Sequence, residues 1–222
     1  LTKWIKFANS LKLRLAMRLT YAAPDKAKQW AEDAVKEENG GVIESNEDNA
    51  QWNYFGTTTN PLYTATRYNA AEGTETGGDT HAADIICYMN GYNDPRREKY
   101  FVQSEWGEGM EYVGIRRSIE LTTLGNNVRK YSGVNVRQGD PIYWMNAAEV
   151  AFLRAEAKLP SFNFNVGSKT AKEYYEEGVT LSFEQWGASG VSTYLSDNTS
   201  KPTAYSDPAG TNSYASQLSS IT

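Results

Sequence analysis

One cysteine and one histidine are all that this 222-residue chain offers of the side chains that build disulfides, thiol nucleophiles, imidazole bases and most metal sites. Cys87 can form no disulfide within the chain, and its apolar setting (ADIICYM) reads as that of a small buried hydrophobe. His81 is followed by Ala82, Ala83 and Asp84, with no second His or Cys at ligand spacing, so it reads as a capping or surface residue. Neither a His-based triad nor a metal site is expected, and no cofactor is called for. No stretch approaches the roughly 20 apolar residues of a membrane-spanning helix, and no charged n-region with an apolar h-region opens the chain. Charge is mixed in sign: 22 Lys and Arg stand against 27 Asp and Glu, a net of −5. Without a basic stripe beyond the first helix, nucleic acid is excluded as the expected partner.

Aromatic side chains, by contrast, are plentiful, with 15 Tyr and 6 Trp in a composition that is 13% aromatic. Cores prefer aliphatic residues, whereas Tyr and Trp combine an apolar face with a hydrogen-bonding tip, which suits a surface that holds partly wet ligands. Apolar residues also crowd two helical stretches, Trp4–Leu19 and Asn146–Leu159. On the first, Trp4, Ala8, Leu11, Leu15 and Leu19 share one face, flanked by Ile5 and Phe7, while Leu13 and Met17 lie opposite; such a helix is expected between two neighbours. On the second, Val150, Leu153 and Ala157 form one face and Ala148, Phe152, Ala155 and Leu159 another, with alanines that allow close helix approach.

A second helix is expected at about 26–38, from Pro24–Asp25 to Asn39–Gly41, and a third at 80–90 capped by Thr80. Asp94–Pro95 opens a turn or short helix, with a stabilising ion pair the expected role of Asp94 and its neighbouring arginines. Strand-like pieces appear at 112–115 and 127–131 among punctuating glycines. Asn146 with Glu149, and Thr170 with Glu173, have capping-box spacing. The last of these helices should run to Trp186 and bury Tyr175, Gly178, Val179, Ser182 and Trp186. The organisation predicted is one mainly α domain portion of tetratricopeptide-like helix pairs with long irregular loops and a few short strands: a helix pair at about 3–38, a loop-rich excursion at 40–144, a helix pair at about 146–187 and a loop tail at 188–222.

The excursion interleaves Trp52, Tyr54, Phe55, Tyr63 and Tyr68 with Asn46, Asp48, Asn49, Asn53, Asn60, Arg67 and Asp79. Pyranose rings present C–H faces that stack on aromatic rings and hydroxyls that hydrogen-bond to amides, carboxylates and guanidinium groups. Trp52, Asn53, Tyr54, Tyr63, Arg67, Tyr68 and, in SEWGEG, Trp106 are therefore the candidate ligand-binding residues, chosen by residue type. Each ring has a second reading as a staple that fixes the loop, and Asp48 and Asn49 read more readily as loop-fixing caps. The acidic residues occupy mostly helix exteriors or caps, so a carboxylate-based glycoside hydrolase is the least favoured reading and the chain is read as non-catalytic.

Several words in order resemble the SusD/RagB family of nutrient-binding outer-membrane lipoproteins: FANSLKLRLAMRL at 7–19, SNEDNAQ at 45–51, DPRREKYF at 94–101, NAAEVAFLRAEAKL at 146–159 and AKEYYEEGVTLSFEQWG at 171–187. The resemblance covers roughly residues 3–187. It implies a SusD-like fold, capture of an oligosaccharide or a peptide at the cell exterior, and delivery to a SusC-type TonB-dependent transporter without covalent chemistry. A pure interaction scaffold remains the rival class. Family members are about twice this length, so the resemblance also implies a piece of a longer protein, attached to the outer membrane through a lipid anchor outside these residues. Binding residues vary among members, and none is transferred by match.

Overall fold

The computed structural model describes residues 1–69, 73–75 and 82–210. Asp79, the expected cap Thr80 and His81 lie outside the described residues, as does the tail from residue 211. In chain order the elements are α1 (Thr2–Arg18), α2 (Pro24–Ala34), β1 (Ala50–Trp52), α3 (Pro61–Thr66), β2 (Tyr68–Asn69), β3 (Thr74–Glu75), α4 (Ala83–Gly91), α5 (Arg97–Tyr100), β4 (Ile142–Met145), α6 (Ala147–Ala157), α7 (Ala171–Gln185) and α8 (Val191–Ser196), with a run of 3₁₀ turns at Leu121–Lys130. They divide into two compact units, Leu1–Trp52 with Pro141–Val191, and Asn53–Asp140 with the chain from Ser192 onward.

The first unit is built from the pairs α1–α2 and α6–α7. Small residues set the spacing: Ala27, Ala31 and Ala34 of α2 are buried in one core with Leu13, Ala16 and Met17 of α1 and with Ile43, Met145, Val150 and Val166. The buried side of α1 is thus the Leu13–Met17 side, whereas Trp4 and Leu15 of the larger apolar stripe are 66% and 57% exposed. The helical wheel identifies both stripes but not which of them receives a neighbour. Ser10 reinforces the buried side, donating to Lys6 O at 2.7 Å and accepting from Ile43 N at 3.0 Å.

Asn146 caps α6 by accepting from Glu149 N at 2.8 Å. The expected reciprocal half of that box is replaced by a longer-range bond, because the Glu149 carboxylate takes Arg14 Nε and Nη2, each at 2.6 Å, and so links α6 to α1. Thr170 and Glu173 form the complete box at the start of α7. The buried stripe of α7 is Tyr174, Gly178, Val179, Ser182 and Phe183: its middle is as expected, while Tyr174 and Phe183 are buried in place of Tyr175 and Trp186. Tyr175 is 42% exposed, while Tyr174 donates its hydroxyl to Val166 O at 3.3 Å beneath the Arg154 guanidinium. Gly178 sits where α7 passes α6 so closely that a Cβ would stand 2.7 Å from the Phe152 ring.

The word SNEDNAQ ties its loop to three helices: Asp48 receives Lys6 of α1, Asn49 Oδ1 accepts from Ala147 N of α6 at 2.7 Å, and Asn46 Nδ2 donates to Leu181 O of α7 at 3.0 Å. β1 leaves that loop and pairs antiparallel with β4, Gln51 opposite Tyr143 and Trp52 opposite Ile142.

In the second unit α4 buries Ala83, Ile86, Cys87 and Met89. Around it lie Val113, Ile115, Leu124, Tyr131 and Tyr205, and beside Ile86 and Met89 lies Phe101. Burial pushes the Cys87 thiol pKa up, which keeps it protonated and inert. Asp94, 4% exposed, accepts from Arg96 N and Nε at 2.9 Å and holds the turn before α5. The strands expected at 112–115 and 127–131 are absent: the first is irregular backbone that exchanges bonds with Ser132, and the second lies in the 3₁₀ run. Val113, Gly114 and Ile115 are all buried, without the alternation of a half-buried strand, and among the described residues no strand pairs with them. Tyr131 donates to Asp207, both nearly fully buried, and this bond fastens the late segment to the unit.

Gly178→Ala is expected to lower stability by about 1 kcal/mol in urea unfolding, the overpacking against Phe152 exceeding the gain in helix propensity. Thr170→Ala should cost about 1 kcal/mol through loss of the α7 cap. The backbone and hydroxyl bonds of Thr170 hold the Glu173 carboxyl below its usual range, so its contribution is complete above the ordinary carboxylate pKa and lost as pH falls through the depressed value. Glu173→Gln should therefore flatten the acid limb of a stability–pH profile.

Candidate functional site

Two aromatic surfaces emerge, one in each unit. In the first unit, β1 ends on Trp52, whose ring stacks on Trp144 of β4 with centroids 6.2 Å apart and planes 19° apart. Trp144 meets Phe7 of α1 at 6.2 Å, and Phe7 meets Trp4 at 6.1 Å, so the rings form a continuous strip. Trp4, Trp52 and Trp144 are each about half exposed or more, and they border a cleft of about 230 Å³ together with Lys3, Asp48 and Gln51. At its edge the Asp48 carboxylate is shared by two ammonium groups, Lys6 at 2.5 Å and Lys3 at 3.9 Å.

In the second unit, α3 and the β2–β3 hairpin bring Tyr63, Arg67 and Tyr68 together. Asn60 makes this possible: fully buried, it caps α3 by accepting from Leu62 N at 2.8 Å and donates Nδ2 to Asp140 O at 2.8 Å. Tyr63 and Tyr68 stack with centroids 5.8 Å apart and planes 16° apart, both half-buried. Glu75 of β3 accepts from Tyr63 Oη at 3.2 Å and from Arg67 Nη2 at 3.0 Å. Partial desolvation and the Glu75 carboxylate raise the Tyr63 pKa, so its hydroxyl stays protonated. The result is a paired aromatic face with a phenol, a guanidinium and a carboxylate along its edge, the combination that binds an apolar sugar face and its hydroxyl rim.

The seven expected residues therefore separate. Tyr63, Arg67 and Tyr68 form one cluster, and Trp52 belongs to the tryptophan strip. Asn53 is exposed and Tyr54 is half-buried, with neither placed in either cluster by a ring stack. Trp106 packs edge-on against Tyr131 at 5.6 Å under Lys130, half-buried, and its Nε1 has no hydrogen-bond partner among the described residues. That is the geometry of a ring stapling its loop to the core. Asn60 and Asn49, interleaved with the candidate rings in sequence, have their side-chain groups engaged by backbone.

Sequence reasoning missed Trp144, Trp4, Phe7 and Glu75 as members of these surfaces. Trp144 had a signal: in the strand Ile142–Met145, Met145 is buried and its neighbour must point the other way. Glu75 had none, because a pair of two-residue strands leaves no pattern.

The SusD-like family model, that of the SusD and RagB outer membrane lipoproteins, matches residues 1–222. The chain belongs to the SusD-like family. Solved structures agree with this SusD-like assignment and with the mainly α fold. A SusD homologue from Bacteroides uniformis is 55% identical, with 100% of this chain and 44% of that one covered and a TM-score of 0.89. A chitin-binding SusD homologue from Flavobacterium johnsoniae is 36% identical, with 99% and 43% covered and a TM-score of 0.84. A SusD homologue from Bacteroides thetaiotaomicron is 39% identical, with 98% and 42% covered and a TM-score of 0.78. The chain thus spans less than half the length of these relatives. No match was found among curated proteins.

Stability should separate staple from surface. Trp106→Ala is expected to cost about 2 kcal/mol in urea unfolding, since it uncovers Tyr131 and leaves a void. Tyr63→Ala should cost less than about 1 kcal/mol, as a half-exposed ring removed from a short helix.

Proposed function

We propose that this SusD-like chain is part of a cell-surface glycan-binding protein of the outer membrane that captures an oligosaccharide and passes it, chemically unchanged, to a SusC-type TonB-dependent transporter. The carrying observation is the Tyr63–Tyr68 stack with Arg67 and Glu75 along its edge. Parallel rings offer a flat apolar platform, and the edge supplies donors and an acceptor at hydroxyl height, so the surface can hold a sugar while leaving its glycosidic bonds untouched. The chitin-binding relative from Flavobacterium johnsoniae supports a glycan as the ligand class. Membership in a family of outer membrane lipoproteins supports the location. Capture without chemistry also accords with the paired acidic groups: Glu75, Asp48 and Glu149 are each engaged by a cation.

A glycan array followed by calorimetry on the best hit tests the reading. Tyr63→Ala and Tyr68→Ala should each weaken binding by about tenfold or more, the loss of one stacked ring, with the fold intact by circular dichroism. Unchanged affinity in both variants would remove the site. Binding of an extended peptide library in place of glycans would reassign the ligand, and reducing ends released from a bound oligosaccharide would reveal a hydrolase.

A further inference from the structure

The two adjacent arginines of the α5 turn are handled differently by the fold. Arg96 is neutralised by Asp94, and its guanidinium leans on Tyr194. Arg97 has no such counter-ion: among the described residues no carboxylate oxygen lies within the 4.0 Å of an ion pair. Instead its Nη1 donates to Asn90 Oδ1 at 2.8 Å, and its guanidinium carbon stands 4.6 Å from the centre of the Tyr112 ring. Its Nε is buried and has no acceptor among the described residues. A guanidinium fixed by an amide and an aromatic face, yet lacking an anion, is a preorganised receptor: the rotamer entropy is already lost and donors remain to be satisfied.

Arg97 borders a cleft of about 320 Å³ in the second unit, between α4, the 109–114 segment and residues 203–206. Ile86, Cys87 and Val113 give it an apolar wall, and Asn90 and Glu111 stand with Arg97 among its polar lining. The volume suits one compact ring or a short carbon chain. Glu111 is the opposing charge; its side chain accepts from Gly109 N at 3.1 Å and feels Arg97. An anion entering the cleft must therefore approach Arg97 against a carboxylate, which selects a ligand whose charge is confined to one end.

We propose that this cleft is a binding site for a small organic carboxylate, with Arg97 receiving the carboxylate and the α4 wall receiving the carbon skeleton. It shares no residue with the Tyr63–Tyr68 surface and holds whether or not that surface binds glycan. The carboxylate can belong to a sugar acid or to a free amino acid, whose ammonium Glu111 would meet.

Calorimetry with glucuronate, glucose and alanine on the whole chain at low salt is the test. Glucuronate binding without glucose binding supports the carboxylate site and names a sugar acid; alanine binding without glucuronate binding supports it and names an amino acid. Arg97→Met should weaken the bound acid by about tenfold or more. Glu111→Gln, which retains an acceptor for Gly109 N, should strengthen glucuronate by about threefold and weaken alanine, and it provides a readout should Arg97→Met misfold. No carboxylate binding to the parent chain, or affinities unchanged in a folded Arg97→Met and in Glu111→Gln, overturns the proposal.

Discussion

Close approach of helices, set by residues with little or no side chain, is the constraint on which the helical unit depends. Ala27, Ala31 and Ala34 let α2 lie on Leu13, Ala16 and Met17, while Gly178 lets α7 lie on Phe152. At such distances dispersion contacts on both sides are near their optimum, and small changes in volume are felt directly. Everything more specific follows from that spacing. Arg14 reaches Glu149 with two of its guanidinium nitrogens only because α1 and α6 are held at the right distance, and the SNEDNAQ loop can touch three helices only because they lie close together.

The loop-rich unit is held by different means. Its apolar core is modest, and much of its order comes from polar side chains that satisfy irregular backbone: Asn60 between Leu62 and Asp140, Asp94 under Arg96, Ser132 against Val113, and Asp207 beneath Tyr131. Such bonds specify one conformation because the alternative is a buried group with no partner. That is why so little strand is needed there. The same economy of regular structure leaves side chains at the surface, and the Tyr63–Tyr68 pair and the Arg97 cleft are both products of it.

What could be read from the amino acids divides along the same line. Local signals survived: Thr170 with Glu173 and Asp94 with Arg96 do what their spacing indicates, because the interactions reach only two or three residues. Signals that depend on a distant neighbour did not. Tyr174 and Tyr175 fit a helical stripe almost equally, and only Val166 and Arg154 decide between them. The strand expected at 112–115 requires a partner strand to form a ladder, and the segment is instead irregular backbone with Val113, Gly114 and Ile115 all buried. Of the candidate rings, Tyr63 and Tyr68 could be foreseen as aromatic and near in sequence, but their parallel stacking depends on a hairpin of two-residue strands that no periodicity announces.

The antiparallel pairing of Trp52 with Ile142 has a further meaning for how such a chain can change. Since β1 and β4 hold residues 53 and 141 beside one another, all that lies between is an insertion whose ends are already joined. The entropy of closing it grows only with the logarithm of its length. Rings, charges and turns within it can be replaced while Arg14, Glu149 and the alanine seams stay as they are. The cassette comes in two pieces, however, because Asp207 and Tyr205 arrive from beyond α7 to complete its core. A graft that carried 53–140 alone would leave the Tyr131 hydroxyl facing a foreign partner, so exchange between relatives should proceed with both pieces together.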